Sequence, residues 1–230
     1  MTADENRVRH AVVTGTSSGI GAAIADRLLR EGWQVTGLCR SDPGGRPAGF
    51  MHRAVDLLDP DALLRAAEGL RPAALVHAAG LMRTAPLGSL DPAAGEGMWR
   101  LHVDVAARLA DAIVPSMAEG GRVVLIGSRT ANGAAARSQY AATKAALVGM
   151  ARSWAAELAP RGITVNVVAP AATDTPMLRD PGRAGTAPRL PPIGRLIDPG
   201  EVAALTAFLL GPEAGAITGQ QIVICGGSSL

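Results

Sequence analysis

The chain has 230 residues, 48% hydrophobic, 18% charged and only 3% aromatic, and its 22 lysines and arginines stand against 20 acidic residues for a formal charge of +2. That length buries one large core and would leave two domains thin, so a single domain over residues 1–230 is expected. The charges are scattered rather than gathered into a basic tract, and stacking aromatics are scarce, which argues against a nucleic-acid partner. Cys39 and Cys225 lie far apart without metal-ligand spacing, so they are expected as ordinary thiols in a reducing compartment, with no disulfide and no metal site. Residues 1–10 are polar, and no run of about 18 apolar residues follows. The expectation is therefore a cytoplasmic protein with no membrane partner.

In chain order, the first apolar run, His10–Thr14, is predicted as a buried strand that leads into a helix over 20–30. A strand over Gln34–Cys39, a helix over 61–70 and a strand over Ala74–His77 follow. Next come a helix over 98–117, a strand over Arg122–Ile126, a helix over 139–158 and a strand over 164–168. A helix over 201–210 and a strand over 221–225 close the series. Short Val/Ile/Leu runs of this kind fit parallel strands buried on both faces, and their alternation with helical segments predicts a doubly wound α/β sheet. Asp59-Pro60 and Asp198-Pro199 mark helix starts, each a capping carboxylate followed by proline at the first helical position. Residues 171–197, rich in Pro, Gly, Thr and Arg, form the one long irregular stretch, and such stretches in compact domains are commonly lids.

Three features carry chemistry. Between the first strand and first helix lies Thr14-Gly15-Thr16-Ser17-Ser18-Gly19-Ile20-Gly21, whose glycines permit a tight turn and close approach of backbone N–H groups to a pyrophosphate at the helix N-terminus. Tyr140 and Lys144 stand one helical turn apart on the same face, so a lysine ammonium can favour the tyrosinate and bring a proton-transferring group toward neutral pH. Ser128 closes a strand at its C-terminal end, where open α/β sheets place their ligands. Taken singly, Tyr140 is a helix-surface residue, Lys144 a solvated charge and Ser128 a turn residue. Together with the glycine loop, they make one site.

These residues resemble the short-chain dehydrogenase/reductase family, whose glycine motif is Thr-Gly-x-x-x-Gly-x-Gly. The resemblance continues through His77-Ala78-Ala79-Gly80, where the family has Asn-Asn-Ala-Gly, and through Tyr140-x-x-x-Lys144. It extends to 166–175, similar to Asn-x-x-x-Pro-Gly-x-x-x-Thr. It implies a Rossmann-type, three-layer α/β sandwich with a mostly seven-stranded parallel sheet. It implies an NAD(P)-dependent oxidoreductase that reduces a carbonyl or oxidises a secondary alcohol. Tyr140 would then move the alcohol proton, Ser128 orient the carbonyl, and Lys144 also bind the nicotinamide ribose, while the cofactor carries the hydride. The family's usual asparagine before the serine strand is missing. Counting back from Pro115 places His102 in its position, with Asp104 as the alternative, and His102 is either a proton relay or a packed core histidine.

For the cofactor, the resemblance implies contacts from Gly15, Ser17, Ser18, Gly19, Ile20 and Gly21, from Asp56 and Leu57 to the adenine, from Ala79 and Gly80, and from Pro170, Thr173 and Thr175. The family's glycine after Pro170 is Ala171. At the end of the second strand Cys39 stands where an acid would hold an NAD ribose, and Arg40 with Ser41 suits a 2′-phosphate, so NADP(H) is favoured. Asp42 keeps NAD(H) as the alternative. A small-molecule carbonyl or alcohol is the expected substrate, with ketones, oxo-acids, sugars and acyl carriers all open. Arg83, Arg129 and Arg137 are candidates for a substrate anion, with surface solvation the plainer reading. A homo-oligomer, tetramer or dimer, follows from the resemblance alone. Two other classes stay open: a nucleotide sensor without turnover, and an epimerase or lyase acting through transient oxidation.

Overall fold

The structure is a computed structural model, and it describes residues 9–183 and 189–230. Seven parallel strands form one sheet in the order β3-β2-β1-β4-β5-β6-β7. They are β1 (His10–Thr14), β2 (Gln34–Cys39), β3 (Phe50–Ala54), β4 (Ala74–His77), β5 (Arg122–Ile126), β6 (Thr164–Pro170) and β7 (Gln221–Ile224). The helices are α1 (Gly19–Arg30), α2 (Pro60–Ala67), α3 (Pro92–Trp99), α4 (Val105–Ile113), α5 (Ser138–Leu158) and α6 (Pro199–Leu210).

Successive strand residues point to opposite faces, and here both faces are apolar. Val12, Leu75, Val123 and Leu125 pack with α2, α4 and α5 on one side. Ala11, Val13, Val76, Val124 and Ile126 pack with α1 and α6 on the other. The three-layer Rossmann-type sandwich expected from the alternating pattern is therefore what the chain builds. Because β1 pairs with both β2 and β4, the chain reverses its winding direction beside β1. That reversal opens a crevice at the C-terminal ends of β1 and β4, the usual place for a ligand in such sheets.

The predicted caps are in place. The Asp59 carboxylate accepts from the N–H groups of Asp61 and Ala62, at 3.1 and 3.0 Å. Asp198 and Glu201 form a reciprocal capping box on α6.

Three differences from the sequence reading have physical reasons. Strand β3 was not predicted, because Phe-Met-His-Arg-Ala at the sheet edge is half exposed and lacks an apolar run. The helix expected over 98–117 begins earlier, at Pro92 behind an Asp91 cap, and is interrupted by a π-helical turn over Arg100–Asp104. The extra residue in that turn leaves His102 and Val103 buried. Strand β6 runs on to Pro170, two residues past the expected end, because β7 continues to pair with it at Ala169 and Pro170.

The irregular stretch after β6 contains two short 3₁₀ turns, Pro176–Arg179 and Pro181–Arg183. Its base is closed by a parallel bridge between Thr173 and Ile197. Residues 184–188 of the expected lid lie outside the described residues.

Candidate active site

The loop between β1 and α1 is tight: backbone crowds Gly15 and Gly21, and the Thr175 side chain crowds Gly19. Gly15 and Gly19 have φ of 72° and 58°, which L side chains rarely adopt. A Cβ on Gly21 would sit 2.3 Å from the Gly15 carbonyl oxygen, and one on Gly15 would sit 2.9 Å from the Ala79 Cα. Ser18 at the N-cap of α1 makes no side-chain cap bond, and the first turn holds no acid. The free N–H groups and positive end of α1 therefore face the crevice, where they fit a pyrophosphate.

Two supports of this loop escaped the sequence reading. Arg46 donates to the Thr16 carbonyl at 2.8 Å, is hydrogen-bonded to Asp26 and lies over the Phe50 ring at 4.9 Å. Nothing in its Pro/Gly-rich surroundings signals a buried arginine. The second support is Thr14, whose Oγ1 accepts from the N–H groups of Ala78 and Ala79, both at 3.0 Å. Its proton is then left for His77 Nδ1 at 3.0 Å, and the opposite ring N–H of His77 donates to the Leu101 carbonyl at 3.1 Å. Burial and the nearby Lys144 charge hold the His77 pKa down to about 3, so this histidine is a neutral link between β1, β4 and the helix layer.

Further along the crevice, Ser128, Tyr140 and Lys144 meet on one wall. Ser128 follows β5, and its Oγ accepts from the Thr130 N–H at 3.1 Å, which frees its own proton to reach the hydrogen-bonded Tyr140 hydroxyl. Tyr140 and Lys144 share a face of α5 and both are buried. The Lys144 ammonium donates to the Ile126 carbonyl at 2.9 Å and lies 5.8 Å from the Tyr140 ring centre. Burial brings the lysine pKa down to about 7. The tyrosine departs from expectation. Burial raises its pKa, opposed by the Ser128 hydrogen bond and the charges of Arg183 and Arg137, and Lys144 is not among the groups that lower it. With its own pKa brought down to about 7, the lysine has lost its proton before the phenol ionises, so it adds no charge to offset the burial of Tyr140.

His102 is completely buried, and its surroundings favour the packed reading over a proton relay. The Thr143 hydroxyl donates to the Tyr140 carbonyl at 2.8 Å, so it accepts from His102 Nδ1–H, also at 2.8 Å. Nε2 accepts from the Leu81 N–H at 3.1 Å. Both ring nitrogens are thus committed to protein partners. Burial, with the Lys144 charge second, keeps the ring neutral. His102 meets Tyr140 edge to face with centroids 5.7 Å apart.

The glycine loop, His102, Ser128, Tyr140 and Lys144 line one cavity of about 800 Å³ that also reaches Arg40, Asp56, Leu57, Ala79, Gly80, Pro170, Thr173 and Thr175. Arg40 is exposed at the end of β2. Cys39, at the end of β2, lines the cavity but is buried, its Sγ 3.2 Å from both the Thr16 hydroxyl and the Ser41 carbonyl. Asp56 uses one carboxylate oxygen to accept from the Leu58 N–H at 3.0 Å. Thr173 and Thr175 are buried, with hydroxyls turned to the carbonyls of Ala171 and Thr173. Asn166, by contrast, lies inside the fold. Its amide donates to the Ile217 carbonyl at 2.7 Å and its oxygen accepts from the Gln220 N–H at 3.1 Å, clamping β6 to the approach of β7. Among the described residues no cluster of side chains suits a metal ion, and no helix is long and apolar enough to cross a membrane.

Residues 15–229 match the family model described as enoyl-(acyl carrier protein) reductase. The chain belongs to the short-chain dehydrogenase/reductase family. It is 36% identical to 3-oxoacyl-acyl-carrier-protein reductase FabG of Salmonella typhimurium over 94% of this chain and 96% of that one. Among solved structures, the ligand-free aldohexose dehydrogenase of Thermoplasma acidophilum superposes with a TM-score of 0.89 at 29% identity, covering 97% of this chain and 94% of that one. A short-chain dehydrogenase from Burkholderia cenocepacia in complex with NADP superposes with a TM-score of 0.84 at 34% identity, covering 96% of this chain and 98% of that one. Within this short-chain dehydrogenase/reductase the cavity follows the crevice of the sheet from the end of β2 to the irregular stretch after β6.

Proposed function

We propose that this short-chain dehydrogenase/reductase interconverts a carbonyl and a secondary alcohol with NADP(H), using Tyr140 as the acid/base, Ser128 as the carbonyl-orienting donor and Lys144 as the group that holds the cofactor ribose. The observation that carries this reading is the meeting of Ser128, Tyr140 and Lys144 at one end of a cavity whose other end is the glycine loop. NADPH, when bound, supplies the hydride.

The protein's own residues do the rest. The N–H groups of the loop and α1 hold the pyrophosphate, and Arg40 with Ser41 takes the 2′-phosphate. Asp56, Leu57, Ala79, Gly80, Pro170, Thr173 and Thr175 line the remaining length. When substrate binds, Ser128 turns its proton from Tyr140 to the substrate oxygen, its own oxygen still accepting from the Thr130 N–H. Tyr140 is held protonated by burial, so it stands ready to give a proton to that oxygen as the carbonyl is reduced. Lys144 spends one N–H on Ile126 and keeps two for the ribose hydroxyls and the tyrosine oxygen. NADP use is supported by the Burkholderia relative's complex with NADP, and carbonyl chemistry by the name of the FabG relative. Assembly as a dimer or tetramer in the cytoplasm accompanies this reading, and light scattering reads the mass.

The test is nicotinamide fluorescence with NADPH and NADH on the wild type and on Arg40→Ala, followed by NADPH oxidation on a ketone panel with Tyr140→Phe as control. NADPH is expected to bind at least tenfold tighter, about 1.4 kcal/mol, with the gap erased by Arg40→Ala. Equal affinity for the two cofactors overturns the Arg40 assignment. Tight NADPH binding with no turnover on any substrate class, or turnover that survives in Tyr140→Phe, overturns the catalytic assignment.

A further inference from the structure

Residues 42–49 form an irregular, mostly exposed connection between β2 and β3, with Gly44 and Gly45 at φ of 62° and 59° and open space beside both. An arginine on such a turn ordinarily extends into solvent. Arg46 does the reverse: its side chain is only 9% exposed and reaches back to α1 and to the loop before it. One terminal nitrogen bonds the Asp26 carboxylate and the Ala22 carbonyl of α1, and the other donates to the Thr16 carbonyl at 2.8 Å. The Phe50 ring lies against the guanidinium at 4.9 Å. Strand β2 makes room for this seat with Gly37, where a Cβ would come within 2.5 Å of both the Phe50 ring and the Thr16 hydroxyl. The Arg46 Nε is buried without a hydrogen-bond partner among the described residues. Burying a guanidinium from so loose a stretch costs hydration and rotamer freedom, and the contacts it makes must offset both.

What Arg46 holds in the loop is one peptide plane. The peptide joining Thr16 to Ser17 is trans, so its C=O and its N–H point in opposite directions. Neither Arg46 nor Thr16 lines the cavity, whereas Ser17 does. With the Thr16 carbonyl fixed on the Arg46 side, the Ser17 N–H is turned toward the cavity, where it joins the N–H groups at the start of α1. Turned over, the same plane would present a carbonyl oxygen to an anion. The neighbouring residues are anchored independently. The Gly15 N–H donates to the Leu38 carbonyl at 2.9 Å. The Cys39 thiol donates to the Ser41 carbonyl, so its sulfur accepts from the Thr16 hydroxyl, both at 3.2 Å. Loss of Arg46 therefore releases the peptide plane and leaves the residues around it in place.

We propose that Arg46 is a positioning residue for the cofactor: from outside the cavity it fixes the peptide between Thr16 and Ser17 so that the Ser17 N–H serves the pyrophosphate, and Asp26 holds the guanidinium on aim. The inference rests on the dinucleotide reading made above and adds the residue that shapes its glycine loop. This role is distinct from that of Arg40. The 2′-phosphate assigned to Arg40 belongs to only one of the two nicotinamide dinucleotides, whereas the pyrophosphate is common to both. Arg46 thus sets affinity without setting the choice between them. Nor does it act as a charge, because the Asp26 carboxylate neutralises it; what reaches the ligand is an oriented backbone N–H.

Nicotinamide fluorescence titrations with NADPH and NADH on the wild type, Arg46→Met and Asp26→Ala test this without turnover. Methionine keeps apolar bulk against Phe50 and removes every donor. In Arg46→Met both dinucleotides are expected to bind more weakly by about tenfold or more, the worth of one N–H bond to an anion, with their ratio unchanged. Asp26→Ala removes a negative charge near the pyrophosphate site, so by charge alone it would tighten binding. Positioning requires the opposite, a loss of about threefold or more for both dinucleotides, because the guanidinium loses the partner that aims it. Wild-type affinity in Arg46→Met overturns the proposal and leaves Arg46 a staple between residues 42–49 and α1. A loss confined to NADPH also overturns it, by moving the effect to the Arg40 end. Unchanged or tighter binding in Asp26→Ala does the same. Should Arg46→Met fail to fold, Asp26→Ala decides alone, since its carboxylate is half exposed. A wild type that binds neither dinucleotide overturns the cofactor reading itself, and this inference with it.

Discussion

Lys144→Met should stabilise the ligand-free protein at neutral pH, and the gain should fade as the pH rises. The lysine pKa falls from 10.5 in an unfolded chain to about 7 in the fold, because burial disfavours the ammonium. Between those values the unfolded chain binds the extra proton, so wild-type stability climbs with pH across that window. At about 1.4 kcal/mol per pH unit, the penalty is roughly 4 kcal/mol at pH 7 and about 1 kcal/mol at pH 9.5. Removing the amine also leaves the Ile126 carbonyl without its donor, a loss of about 1–3 kcal/mol at any pH. The variant is therefore expected to be about 2 kcal/mol more stable than wild type at pH 7 and no more stable at pH 9.5. Urea denaturation at matched pH values measures the difference. His77 and His102 are neutral above their ordinary value of 6.5 and Tyr140 is pushed above 10, while Cys225, whose thiol pKa is lowered from 9.0 chiefly by the Ser229 hydrogen bond, titrates alike in both proteins and cancels in the difference. A stability difference that is the same at both pH values would show that Lys144 is charged in the fold and refute the desolvation argument.

Gly21→Ala places a Cβ against the Gly15 carbonyl oxygen, a backbone atom that cannot turn aside. NADPH affinity should fall at least tenfold by fluorescence titration, about 1.4 kcal/mol, and unchanged affinity would mean that the loop is looser than it looks. His102→Leu leaves the Leu81 N–H without its acceptor, while the Thr143 hydroxyl keeps its bond to the Tyr140 carbonyl, and should cost about 1–3 kcal/mol in urea denaturation. Because the ring is neutral above 6.5, that loss should be the same at pH 7 and pH 8.5.

The parts legible from the sequence are those governed by local rules. Runs such as His10–Thr14 and Arg122–Ile126 are buried on both faces, so they are apolar throughout and stand out as strands. The same logic hides β3, which is covered on neither side well enough to need an apolar sequence. Asp91-Pro92 carries the same capping signature as Asp59-Pro60, yet the helix it starts is glycine-rich and weakly patterned, so apolar spacing predicts a start only at Met98. In the site, the glycine loop, Ser128, Tyr140 and Lys144 are visible because spacing along a helix or at a strand end translates directly into position. What spacing cannot reveal is burial. The fall in the Lys144 pKa, the rise in that of Tyr140 and the two occupied nitrogens of His102 all depend on neighbours distant in sequence. Arg46 is the clearest case: it reaches the glycine loop from a stretch with no pattern of its own.

The bridge between Thr173 and Ile197 has a consequence for how this enzyme can diversify. The N–H of Asp174 donates to the Ile197 carbonyl, and the N–H of Ile197 donates to the Ala172 carbonyl, both at 2.9 Å, so the two ends of the intervening segment are stitched together. Directly beyond Ile197, the capping box of Asp198 starts α6 afresh. Whatever sequence lies between the stitches can then be exchanged without disturbing β6 or α6, much as a tool head is changed on a fixed handle. A closed loop tolerates changes in length at small entropic penalty. New substrate preferences should therefore be reachable by replacing the segment between Thr175 and Leu196 as a cassette, leaving the sheet and Tyr140 where they are.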